Sequence, residues 1–113
     1  MQRKILDTIL HEYAIGINDI LGQNLNQVIL YGSYARGDYN NSSDIDVMVL
    51  VNDMSDEEII KIREDISSLA FDISLENDII ISTVIKSKDH FDRWVKVVPF
   101  YQSVKNEGVL ING

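Results

Sequence analysis

Apolar residues recur at three- and four-residue intervals at the start of the chain: Ile5, Ile9, Leu10, Tyr13, Ile17, Ile20 and Leu21. That spacing predicts an amphipathic helix over 2–21. Gly16 is an interior blemish of about 1 kcal/mol against Ala, and Gly22 is placed to cap the helix end. A polar connection at 24–27 leads into Val28-Ile29-Leu30-Tyr31, four residues that read as a buried strand. Positions 33–36 predict one or two helical turns, 37–42 a turn-rich loop, and 45–51 a second strand. Ser55 and Glu58 form a capping box for a helix over 56–75. Its stripe of Ile59, Ile62, Ile66, Leu69, Ala70 and Ile73 faces the core. A third strand is expected over 78–85 and a short helix over 88–96, where Trp94 is read as packing. Pro99 suits the start of another helix, and 109–111 could add a short strand. The fold class that follows is α+β: a small mixed β-sheet with helices packed mainly on one face.

The apolar run ending at Tyr31 opens directly onto Gly32-Ser33, and ten residues later Asp44-Ile45-Asp46 leads into the second strand. Glycine lets backbone approach a ligand closely. Ser33 is a credible helix N-cap, and a helix start presents free N–H groups to anions. Arg36, one turn on, is within reach of a phosphate. On a strand, alternation puts Asp44 and Asp46 on one face, about 6–7 Å apart at Cα. Carboxylates this close disfavour joint ionisation, and a divalent cation between them removes the penalty; hard oxygen ligands suit Mg²⁺. Asp-x-Asp alone would be an ordinary polar turn before a strand. The Gly-Ser turn upstream makes phosphate chemistry the stronger reading.

At 113 residues, with 45% hydrophobic and 25% charged positions, one domain covering 1–113 is expected. There is no Cys, which excludes disulfides and thiolate metal sites. Charged residues interrupt the N-terminal segment, so no signal peptide is read there. No run approaches the roughly 20 apolar residues of a membrane span, and a cytoplasmic location is the default expectation. The formal net charge is −8, from 18 acidic and 10 basic residues. Nucleic-acid binding relies on Lys and Arg neutralising phosphates, so direct nucleic-acid binding is not expected. His11 has no second ligand at metal spacing and reads as a surface or satisfied histidine.

The string Gly32-Ser33-x-Ala35-Arg36-Gly37, followed by Ser43-Asp44-x-Asp46, resembles the signature of the polymerase-beta-type nucleotidyltransferase superfamily. It is most similar to the smallest branch, the minimal nucleotidyltransferases. Pro99-Phe-Tyr-x-x-Val104-x-x-Glu107-Gly108-Val109 resembles their usual C-terminal end. The resemblance implies ATP as substrate, with its β- and γ-phosphates at Gly32 and Ser33 and Arg36 assisting. It implies two Mg²⁺ ions, or Mn²⁺, on Asp44 and Asp46. A third carboxylate comes from the strand after the long helix in that family. Here it maps to Asp78, with Asp72 the nearest competitor, and Asp78 would bind the catalytic ion and accept the proton of the attacking hydroxyl. Minimal nucleotidyltransferases are commonly paired with a helical HEPN protein. The resemblance therefore implies an antitoxin that adenylylates a tyrosine of a HEPN-type toxin. The alternatives are a catalytically silent antitoxin acting by contact and a transferase for a small-molecule acceptor.

Overall fold

The structure, a computed structural model, describes residues 1–111. Helix α1 (Arg3–Leu21) passes through a 3-10 turn (Gly22–Asn24) into strand β1 (Leu25–Tyr31). Then come α2 (Ser33–Arg36), β2 (Ile45–Val51), the long α3 (Asp56–Asn77) and β3 (Ile81–Ser87). Helices α4 (Lys88–Trp94) and α5 (Pro99–Glu107) lead to β4 (Val109–Leu110). The strands form one sheet in the order β3-β2-β1-β4. β1 pairs antiparallel with β2 and β4, while β2 and β3 are parallel. Parallel neighbours need a crossover, and α3 supplies it.

Strand β2 sits at the middle of this order for a reason visible in its residues. Every residue except Asp46 is buried, as expected of a strand covered on both faces. Ile45, Val47, Val49 and Val51 join Leu6, Tyr13, Ile17, Ile66 and Ile73 of α1 and α3 in one cluster. Met48 and Leu50 point the other way, against Phe91, Val95, Tyr101 and Val104. The two long helices thus share one face, as the periodicity predicts. Helices α4 and α5 form a second, smaller cover on the opposite face. Each fully buried branched side chain contributes about 1.5–3 kcal/mol, so β2 anchors both layers.

The long helices approach closely because of Gly16. A Cβ there would run into the Leu69 side chain of α3. The apparent blemish in α1 is a seat for its neighbour. At the edge of the sheet, the Tyr13 hydroxyl bonds Thr83 Oγ1 of β3 at 2.6 Å. Burial pushes the Tyr13 phenol up to about 12, so it stays protonated. The Ser55–Glu58 capping box forms as predicted, with Ser55 Oγ accepting from Glu58 N–H and Glu58 Oε1 accepting from Ser55 N–H.

Several boundaries differ from the pattern reading. β1 begins at Leu25 rather than 28, with an irregularity in register between Leu25 and Gln27. Its polar start is tied down by Asn26, which donates to Asn52 Oδ1 at 2.9 Å. α4 ends at Trp94, short of the predicted 96. The larger correction concerns Asp78, which does not open the third strand. α3 runs on to Asn77, Asp78 is its C-cap at φ 51° and ψ 50°, and β3 starts only at Ile81. Ile79 N–H reaches back to Ser74 O at 3.2 Å, the 6→1 bond of a Schellman-type helix end. Residues 78–80 are spent turning the chain out of the helix, so an isoleucine run resembling strand is partly exit loop.

Asp78 is the one non-glycine residue at positive φ among the described residues. A glycine would suit that conformation better and would remove a negative charge from the unfavourable end of the helix dipole. Asp78→Gly should therefore raise stability by about 0.5–1 kcal/mol, measured as a shift in urea midpoint at constant m.

Candidate active site

Antiparallel pairing brings the end of β1 beside the start of β2, with Tyr31 opposite Asp46. The chain leaving Tyr31 therefore turns right at the carboxylates. Gly32 makes that turn at φ 77° and ψ −156° and serves as the N-cap of α2. A Cβ on Gly32 would collide with the Asp46 carboxylate. Glycine is thus required twice, by the dihedral and by the packing of Asp46 over the turn. This corrects the expectation for Ser33: it is the first residue of α2, not its cap. The hydroxyl of Ser33 does not cap the helix. Such a short helix has a small dipole, so the turn's main offering to an anion is its free N–H groups. Gly37, at φ 88°, ends α2 with its N–H on Ser33 O at 2.9 Å.

Asp46 is partly buried and its carboxyl is raised above its ordinary value of 3.8. Burial is the main cause, the nearby Asp44 charge adds to it, and Arg36 opposes both. Asp44 lies just ahead of β2 and is exposed. It lines a cleft of about 840 Å³ whose wall includes Asp78 and the apolar side chains Phe71, Leu75 and Ile80. Arg36 carries its guanidinium toward this edge but holds partners already. Its Nε donates to Asp38 Oδ2 at 3.1 Å and its Nη1 to Glu107 Oε1 at 3.0 Å. These are exposed pairs of small worth, so an incoming phosphate can compete for the cation.

Asp44 and Asp46 suit a divalent ion by the chemistry of their donors. Two hard carboxylates in electrostatic contact, one of them desolvated, gain from a cation. Mg²⁺ is commonly held by one or two carboxylates together with substrate phosphates. The expected third carboxylate does not complete the set. Among the described residues no three acidic or histidine side chains converge closely enough to hold a metal. Asp78 shares the cleft with Asp44, but Asp46 is not part of that cleft. Asp72, its competitor, is an exposed residue within α3. The β3 residue in register with Asp46 is Ser82.

Sequence reasoning missed Tyr31, Ser82 and Glu107 as neighbours of the site. Tyr31 was legible in principle, since an antiparallel pair closing on the Gly-Ser turn must place it near Asp46. Its phenol is raised by burial and then by the Asp46 charge. Glu107 meets Arg36 only through the tertiary fold, and no local pattern announces it.

A family model described as "Nucleotidyltransferase domain" matches residues 16–107. A Methanocaldococcus jannaschii protein named "Putative protein adenylyltransferase MJ0141" is 41% identical over 101 residues, covering 89% of this chain and 93% of that protein. A second protein of that organism, "Putative protein adenylyltransferase MJ0604", is 31% identical over 84 residues, 74% of this chain and 75% of its own length. Among solved structures, a Sulfolobus solfataricus crystal structure described as a "putative nucleotidyltransferase" superposes with TM-score 0.63 at 20% identity, covering 95% of this chain and 79% of that one. A toxin-antitoxin crystal structure with AMP-PNP gives TM-score 0.56 at 21% identity, over 91% of this chain and 73% of that one.

Two outcomes follow from the geometry. Gly32→Ala should lower stability by roughly 1–3 kcal/mol, the cost of a strained backbone position, read from chemical unfolding. Asp46→Asn should raise the thermal midpoint of the metal-free protein at neutral pH. A carboxyl whose folded value is raised stabilises the fold in its protonated form, fully below its unfolded value of 3.8, and that stability is lost as pH rises through the folded value. The advantage of Asn should therefore be present at pH 7 and absent near about pH 3.5, checked by paired thermal melts.

Proposed function

The chain belongs to the nucleotidyltransferase domain family, and from that premise we propose that it transfers AMP from ATP to a hydroxyl of a partner protein. The observation that carries the reading is the Gly32 turn held against Asp46, with Asp44 and Arg36 alongside. In the reaction, the acceptor oxygen bonds to the α-phosphorus as the bond to the bridging oxygen breaks. Pyrophosphate leaves with that electron pair, and the hydroxyl proton passes to solvent. The N–H groups of the turn and the Ser33 hydroxyl bind the β- and γ-phosphates. Arg36 exchanges its exposed carboxylate partners for a phosphate oxygen. Asp44 and Asp46 would hold divalent cation, Mg²⁺ or Mn²⁺, with two ions in the full complement. A cation held there would supply positive charge against that building on the departing pyrophosphate.

Three features support a protein acceptor. The M. jannaschii relative at 41% identity is named as a protein adenylyltransferase. The cleft beside Asp44 exposes Phe71 at 63%, Leu75 at 67% and Ile80 at 63%, an apolar wall of the kind that marks protein contacts. The net charge of −8 opposes a nucleic-acid acceptor. The partner we propose is a HEPN-type toxin, modified on tyrosine, with this chain as its antitoxin. No helix among the described residues is long and apolar enough to cross a membrane.

Incubation of the partner with ATP, Mg²⁺ and this protein should add AMP to tyrosine, read by intact-mass and peptide mass spectrometry. Asp44→Asn and Asp46→Asn should each lower transfer by at least about 100-fold. Arg36→Gln should cost roughly tenfold, the scale of one charge-assisted hydrogen bond. Transfer that persists in excess chelator would remove the metal from the mechanism. A tight complex with no modification under any nucleotide would favour an antitoxin acting by contact.

A further inference from the structure

Asp46 has one in-register neighbour on each side. Across the antiparallel pair it is Tyr31, and across the parallel pair it is Ser82. In-register residues of paired strands point to the same face, and alternation along each strand confirms it here. Met48, Leu50 and Val84 lie in the cluster under α4 and α5, whereas Val47, Val49, Ile81 and Ile85 lie in the opposite one. Asp46 and Ser82 both belong to the first face. Adjacent strands stand about 5 Å apart, so Ser82 and Asp46 are neighbours on that face of the sheet. Ser82 is exposed, on the edge strand of the sheet. Asp78 precedes the strand by a helix-end turn and is committed to that turn by its backbone.

We propose that Ser82, and not Asp78, is the β3 residue that borders the cation site. The site then has two carboxylates and a neutral third position, and it holds a divalent ion tightly only together with the triphosphate. The inference rests on the functional reading above and specifies its cation site. Two carboxylates leave most of the coordination sphere to water or phosphate oxygens. Ligand charge count is a principal determinant of affinity for hard cations. An aspartate at position 82 would add a third carboxylate on the right face at the right register. The protein would then bind the cation without waiting for nucleotide.

The test is Mn²⁺ binding followed by electron paramagnetic resonance, with and without a non-hydrolysable ATP analogue. In the natural chain the analogue should tighten Mn²⁺ binding by at least about tenfold. Ser82→Asp should tighten nucleotide-free Mn²⁺ binding by a similar factor, and Asp78→Asn should change neither value. Thermal melts of each variant establish that it is folded, and Ser82 is exposed enough to accept the change. The proposal is overturned if Asp78→Asn weakens Mn²⁺ binding as much as Asp46→Asn while Ser82→Asp has no effect. It is also overturned if nucleotide-free binding in the natural chain already equals that with the analogue. Asp44→Asn and Asp46→Asn separate the two levels of the reading. If neither reduces Mn²⁺ binding, the assignment of the carboxylate pair itself fails, and not merely that of its β3 neighbour.

Discussion

The antiparallel pairing of β1 with β2 sets the Gly-Ser turn against the carboxylate pair of the candidate site. A strand that ends where its neighbour begins puts the exit turn of one against the entry residues of the other. Here the exit turn is Gly32-Ser33 and the entry residues are Asp44-Ile45-Asp46. The closeness is extreme enough that Asp46 occupies the space of a Gly32 side chain. The pairing is itself fixed by burial. β2 is apolar on both faces beyond Asp46, and a one-residue slip would turn the Asp46 carboxylate from the face of Met48 and Leu50 into the core under α1 and α3. The same hydrophobic pattern that builds the core therefore aims the carboxylate.

Much of this was legible in the chain because it depends on local periods. The stripe Ile62, Ile66, Ala70, Ile73 declares α3, and the Ser55–Glu58 box declares where it starts. The Gly-Ser turn and Asp-x-Asp pair declare their chemistry by residue type and by position at strand ends. Three things were not legible. The second cover of α4 and α5 depends on Met48 and Leu50 of a strand that is apolar on both sides, and such a strand does not say which face receives which helix. The contact between Arg36 and Glu107 spans the chain and leaves no local trace. The role of Gly16 is visible only once Leu69 is brought against it.

The misplacement of Asp78 has a specific cause. Asp followed by three isoleucines has the composition of a strand entry, and β-branched residues favour strands. The helix before it, however, needs a residue that tolerates the left-handed region to turn the chain, and Asp is among the few non-glycine residues that do. Gly37 performs the same task at the end of α2. Two helix ends thus use the same device with different residues. The carboxylate of Asp78 is accounted for by backbone geometry before any ligand is invoked. The strand that follows is displaced toward the C-terminus by three residues, and this displacement puts Ser82 opposite Asp46.

The electrostatics of the site link its stability to the ligand proposed for it. Without a cation, Asp46 is a partly buried acid beside another acid, and its raised carboxyl value records that both burial and Asp44 work against its charge. The compensating charge on Arg36 is shared with Asp38 and Glu107. A protein with excess negative charge also repels free triphosphate. Nucleotide that arrives already complexed with a divalent ion meets neither obstacle to the same degree. On the reading proposed above, the ion would relieve the carboxylate pair and the phosphates would meet the N–H groups of the turn. Ligand that binds only the folded state adds its binding free energy to the stability of the fold. On that reading, the edge around Gly32 and Asp46 is where a bound nucleotide–metal complex would act on stability.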